Sequence, residues 1–235
     1  MRKSTERRLC DRVLTLLLLS LLSAYYAFVV TAGKFAVLGW NTHYYDLAAE
    51  GFRLGHLYLP ILPSPFLLAS ANPYNPINRA LWLWDTLLFD RHYYIYWGPV
   101  PALCLLLVKS LSGYRAVVAD QWLVLAFMLG RLYAGAALIL SVSSASPRPP
   151  RWVLLLSIAI FALASPTPFV LARPLVYEAS VASGQCFLFC GLLAGYWGLN
   201  RPRRQTLLFA IAGLCFGLSL GSRVTMLLVT PLMAA

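Results

Sequence analysis

Charge is what this sequence has least of. Asp, Glu, Lys and Arg make up 11% of its 235 residues, less than half of the ~25% usual in soluble domains. Hydrophobic residues make up 60%, and mean hydropathy is +0.71. A soluble fold has nowhere to bury that much apolar surface, so the bilayer is the natural solvent. Acids are scarcer still: eight Asp and Glu stand against nineteen Lys and Arg, for a net charge of +11. Such an excess suggests nucleic acid. Here, however, the basic residues fall in short clusters between apolar runs, where membrane topology accounts for them, so nucleic acid is not an expected partner.

Cysteine offers no framework. Cys104, Cys186, Cys190 and Cys215 lie inside apolar runs and Cys10 among basic residues. Even the i,i+4 pair Cys186 and Cys190 has no His or acid beside it. All read as small packing residues. The three histidines, His43, His56 and His92, lack a metal-ligand spacing such as HExxH. The sequence assigns no cofactor, although it leaves a divalent metal open.

What is present is a series of apolar runs. Residues 1–12 form a basic N-terminus with Arg2, Lys3, Arg7, Arg8 and Arg12, and residues 13–32 are long enough to cross the ~30 Å hydrocarbon core. The run is long for a cleaved signal peptide and more apolar segments follow it, so it reads as a first transmembrane helix with the N-terminus in the cytoplasm. Residues 33–121 read as an outer loop with surface or re-entrant helices. Residues 122–235 read as a transmembrane helical bundle, with runs at 122–142, 152–172, 180–199, 206–220 and 224–235. The last run has no polar flank, which reads as a chain cut within a helix. The expected fold class is all-α, a polytopic transmembrane helical bundle with a large outer loop.

Two basic loops, one with Arg148 and Arg151 and one with Arg201, Arg203 and Arg204, belong inside. With residue 122 starting outside, the run 99–108 is expected to be re-entrant or to lie on the membrane surface, being short before Lys109 interrupts it; the alternative is that it crosses and Arg148 and Arg151 break the positive-inside rule. Most acids then lie on the outer side. Arg131 falls mid-helix, where a charge is costly, and is expected to face the bundle interior.

Three stretches have the residue types for chemistry. In the first, Tyr45 to Leu54 suits a short amphipathic helix ended by Gly55, with Asp46 and Glu50 on one face. Two close carboxylates can raise one pKa and create a base, or form a solvated face with a Glu50–Arg53 pair. In the second, Asn72-Pro73-Tyr74-Asn75-Pro76 is followed by Trp82-Leu83-Trp84-Asp85 and by Asp90 through Pro101. Aromatic rings beside an acid could stack on a sugar while the acid binds hydroxyls; equally, they could form an interfacial belt. In the third, Glu178 stands at an outer helix start, where it also complements the helix dipole.

Together these stretches resemble the bacterial membrane families of the GT-C glycosyltransferase superfamily, among them protein mannosyltransferases and lipid A aminoarabinose transferases. The likeness lies in one helix, a long outer loop and many following spans. It lies also in Tyr44-Tyr45-Asp46-Leu47-Ala48-Ala49-Glu50-Gly51-Phe52-Arg53-Leu54-Gly55 and in Tyr93-Tyr94-Ile95-Tyr96-Trp97-Gly98-Pro99-Val100-Pro101. The chain is also similar to bacterial membrane proteins whose loop reads NPYDP … D … YYxYxGPxP, here Asn72 to Pro76, Asp85, and Tyr93 to Pro101. The resemblance implies a multi-pass protein of the bacterial inner membrane. It further implies sugar transfer from a polyprenyl-phosphate carrier to an acceptor hydroxyl of a glycan, lipid or protein on the outer face. Such enzymes place a catalytic Asp where this chain has Asn41, so Asp46, Asp85, Glu178 or Glu50 would supply the carboxylate. Asn41, His43, Tyr45, Arg53, Arg91, His92, Tyr94 and Arg223 would contact substrate. The competing expectations are an inactive membrane scaffold and a transporter or flippase of a lipid-linked substrate.

Overall fold

The computed structural model describes residues 2–144, 149–164 and 166–229. Arg148, and the stretch 231–235 expected to close a cut helix, lie outside the described residues. The elements run α1 (Arg2–Val30), α2 (Tyr44–Arg53), α3 (Pro65–Ala69), β1 (Thr86–Phe89), β2 (His92–Ile95), α4 (Val100–Ser112), α5 (Asp120–Ser144), α6 (Arg151–Leu163), α7 (Thr167–Ala172), α8 (Val176–Asn200) and α9 (Gln205–Ser222), with 3-10 turns at Pro76–Leu81, Pro202–Arg204 and Val224–Val229.

Four helices are long and apolar enough to cross a membrane: Arg12–Val30, Asp120–Ser144, Val176–Asn200 and Pro202–Ser222. α8 is central, packed along α5 on one side and α9 on the other. Small residues permit the close approach: Gly191 faces the Phe216 ring and Gly198 the Phe209 ring across the α8–α9 seam. Outward faces are apolar too, with Leu16, Leu17, Leu21 and Phe28 of α1 exposed.

The apolar run 152–172 is not one helix. It breaks between α6 and α7, before Pro166-Thr167-Pro168, where the two prolines supply no N–H to continue the ladder. The carbonyls orphaned at the end of α6 are taken by side chains from elsewhere. Tyr26 of α1 donates its hydroxyl to the Ala162 carbonyl at 2.7 Å. Arg131 of α5 donates to the Phe161 carbonyl at 3.4 Å and to Thr167 Oγ1 at 3.0 Å. The Arg131 guanidinium also lies 4.3 Å from the Phe161 ring centroid and 5.6 Å from that of Phe189. The mid-helix charge thus faces the interior and seals a helix break.

The upper end of the bundle, where α1 stops, is tied to the start of α5. Gln121 accepts from the Leu38 N–H and donates to the Ala36 carbonyl, while its own N–H donates to Asn41 Oδ1. Asn41 Nδ2 donates to the Pro174 carbonyl at 2.7 Å, which brings the entry to α8 to the same end. Asp120 completes the tie. Its carboxylate accepts from the Thr42 hydroxyl at 2.6 Å and from the N–H groups of Tyr44 and Tyr45 at 3.0 and 3.2 Å. His43, the residue before α2, makes no side-chain cap, so Asp120 caps α2 from another helix.

α2 ends as the sequence suggests, with Gly55 left-handed at φ 82° after Leu54. Both ends of α4 also reach the upper end. Gly98 sits so tightly on the end of α9 that a Cβ there would lie 2.0 Å from the Gly221 carbonyl oxygen. Near the other end, Lys109 pairs with Asp46 of α2. At 13 residues α4 is about 20 Å long, too short to cross.

One element departs from the all-α expectation. β1 and β2 form an antiparallel hairpin with Phe89 opposite His92. Its two-residue turn, Asp90-Arg91, has φ of 44° and 62°, the left-handed pair that a tight hairpin needs and that Asn-Gly usually supplies. Without that signal in the sequence, the segment reads as an aromatic loop.

Candidate active site at the upper end of the bundle

After the hairpin, Trp97 packs on Tyr177 at the start of α8 and Gly98 on the end of α9. Asp85 stands at the hairpin root in a left-handed conformation, φ 59°, where Asp is among the few tolerated residues. Tyr96 donates its hydroxyl to Asp85 Oδ1 at 3.2 Å. Burial, followed by the Asp85 carboxylate, raises the Tyr96 phenol above its ordinary value. Asp85 also acts electrostatically on Tyr44 of α2 and Glu178 of α8. The same carboxylate lines a cavity of about 220 Å³ with Tyr74, Trp82, Trp84, Leu67 and Tyr93. Trp82 and Trp84 meet edge-on at 5.7 Å, and the Arg79 guanidinium lies 5.1 Å from the Trp84 centroid.

Below this cavity is a buried polar cluster. Arg223 donates to the Tyr177 hydroxyl at 2.7 Å and lies 4.2 Å from the Tyr177 ring centroid and 5.5 Å from that of Trp97. Trp97 and Tyr177 pack edge-to-face at 4.9 Å. Tyr45 joins from α2; burial pushes its phenol up, as does the Asp120 carboxylate, against the pull of Ser180 and Arg223. Among the described residues Tyr45 Oη, Trp97 Nε1, Glu178 Oε2 and Arg223 Nη1 are buried without a hydrogen-bond partner. Each such atom costs about 1–3 kcal/mol, and unpaired buried polar groups are few in native structures.

The remaining sequence-predicted residues lie elsewhere. Asp46 and Glu50 share a face of α2, but each has its own cation. Lys109 and the Val118 N–H, the latter at 3.2 Å, hold Asp46. Arg53 holds Glu50 and keeps that exposed carboxyl below its usual range. Arg91 is exposed at the hairpin tip. His92 and His56 flank Tyr58, at 4.0 and 4.5 Å between ring centroids, and Tyr94 meets Tyr58 edge-on at 6.2 Å. Asn41 and His43 belong to the tie between α1, α2 and α5. The structure therefore links Asp85 electrostatically to Glu178 and Tyr45 to Arg223, while Asp46 and Glu50 are paired with Lys109 and Arg53.

Sequence reasoning missed Tyr96, Trp97 and Tyr177 as site residues, and Asp120 as the cap that holds Tyr45. The only local signal for Asp120 was an acid opening an apolar helix. Among the described residues no three of His, Cys, Asp and Glu converge to hold a metal ion. The chain matches no family model, no curated protein and no solved structure.

Proposed function

We propose that this chain is a multi-pass protein of the bacterial inner membrane, with a cytoplasmic N-terminus, that acts as a GT-C-type glycosyltransferase. It transfers a sugar from a polyprenyl-phosphate carrier to an acceptor hydroxyl on the outer face. The observation that carries this reading is Asp85. Its carboxylate borders an aromatic cavity of about 220 Å³ and acts electrostatically on the buried Glu178 of α8. Four apolar helices with exposed apolar faces support the membrane placement.

In this scheme the sugar lies in the cavity lined by Trp82, Trp84 and Tyr74. Asp85 takes the proton of the acceptor hydroxyl as its oxygen bonds the anomeric carbon. The bond from that carbon to the phosphate oxygen breaks, and polyprenyl phosphate leaves with the electron pair, its charge met by Arg223. Glu178, buried in the first turn of α8 within electrostatic reach of Asp85, orients the acceptor. Transport is disfavoured because Arg131, the charge in the middle of α5, is occupied in capping α6.

The test is transfer from a polyprenyl-phosphate sugar by the full chain in vesicles. Asp85→Asn is expected to lower kcat by about 10²–10⁴-fold, the worth of a general base. Undiminished transfer by Asp85→Asn and by Glu178→Gln would overturn the assignment.

A further inference from the structure

A second concave region lies on the other side of α4, away from Arg223 and Glu178. An apolar groove of about 840 Å³ runs between α4 and the first two turns of α5, lined by Leu105, Val108, Trp122, Leu123, Ala126 and Phe127. At its upper end it meets a polar cup of about 270 Å³ containing Glu50, Arg53 and Ser110. Lys109, Tyr114 and Arg115 line both.

The charges of the cup do not cancel. Arg53 is matched by Glu50 and Lys109 by Asp46. Arg115 is exposed and makes no hydrogen bond or ion pair among the described residues; it acts on Glu50 only at a distance, as does Lys109, so the mouth keeps one positive charge in excess. Trp122 and Tyr114 mark the depth where aromatic side chains settle at a bilayer interface, so this cation sits at headgroup level with the apolar groove beneath it. An oily channel that ends in a single positive charge complements an amphiphile with one negative charge.

We propose that this groove holds one anionic glycerophospholipid of the surrounding leaflet, its phosphate against Arg115 and an acyl chain along α5. The bilayer supplies this lipid at high concentration, and a lipid held here would brace α4 and, through Lys109–Asp46, α2. The inference rests on the four apolar helices crossing a bilayer and not on the sugar chemistry, so selective lipid binding and glycosyl transfer can fail separately.

Native mass spectrometry of the full chain, titrated with phosphatidylglycerol or phosphatidylcholine, tests it. Phosphatidylglycerol is expected to bind about tenfold more tightly, the scale of one charge-assisted contact. Arg115→Gln should abolish the difference and Arg115→Lys should keep most of it. Ala126→Phe, which fills the groove without touching charge, should weaken both lipids and serves independently should Arg115→Gln not fold. Equal affinity of the native chain for the two lipids, or unchanged selectivity in Arg115→Gln, would overturn the proposal. So would displacement of phosphatidylglycerol by an equimolar polyprenyl phosphate, or by inorganic phosphate alone, since either result names a different occupant.

Discussion

Thr42 and Asp120 bond each other twice. The Thr42 hydroxyl donates to the Asp120 carboxylate at 2.6 Å, and the Asp120 N–H donates to the Thr42 carbonyl at 2.8 Å. Residues 78 apart in sequence thereby exchange bonds as a local capping box does. Asp120→Ala strips the cap of α2 and leaves two buried N–H groups unpaired, at a cost of about 2–3 kcal/mol. Asp120→Asn, which keeps an acceptor, should cost roughly half as much. Thermal unfolding in detergent reads the difference, and an Asp120→Ala protein as stable as the native one refutes the cap.

Alkaline pH should loosen the same corner. Burial, then Asp85 and Asp120, push the Tyr44 phenol from 10.0 up to about 12. A folded value above the unfolded one means that stability from the neutral phenol is complete below pH 10 and is lost as pH rises toward 12. Tyr44→Phe should remove this part of the alkaline loss, and Asp85→Asn should lower the Tyr44 midpoint. Phenolate absorbance followed against pH measures both, and a Tyr44 midpoint unmoved by Asp85→Asn would contradict the placement of that carboxylate.

Arg131→Met removes two donors from the α6–α7 break and should cost about 1–3 kcal/mol. Arg131→Lys should recover little, because one ammonium cannot reproduce the planar fork that reaches Phe161 and Thr167. Melting temperatures of the two variants decide this, full recovery by lysine being the contrary outcome.

The aromatic cavity makes its own prediction. If Trp82 and Trp84 hold the sugar, alanine at either should raise KM for the donor several-fold with little change in kcat, the pattern of lost uniform binding. A fall in kcat at constant KM would place these rings in support of Asp85 instead.

Sidedness is tested at Ser112, the exposed last residue of α4. With the native cysteines replaced, Ser112→Cys should react with an impermeant maleimide added outside intact cells. Reaction only after permeabilisation would mean that α4 crosses the membrane.

The four long helices were legible because hydropathy over about 20 residues is a strong local signal. The amphipathic α2 and its Gly55 stop were legible from helical spacing and the terminal glycine, whereas the α6–α7 break was missed because the apolar run 152–172 outweighed Pro166 and Pro168. What was hidden depends on distant partners. Asp46 reads as half of a carboxylate pair until the fold brings Lys109, 63 residues on, against it. The hairpin was hidden because Asp90-Arg91 is an uncommon choice for its turn. Asp85 was visible as an acid among aromatics, but its electrostatic reach to Glu178, 93 residues on, comes from the tertiary fold, which no local pattern encodes.

The sealed break in the α6–α7 rod has a mechanical consequence. Its loose carbonyls are clasped by a tyrosine from α1 and an arginine from α5. Sliding α1 by a single turn would carry the Tyr26 hydroxyl ~5 Å from Ala162, and in the proposed membrane setting no water is at hand to replace the lost donor. These three rods are therefore coupled like staves under one hoop, so relative travel between them requires cutting bonds that the lipid cannot mend.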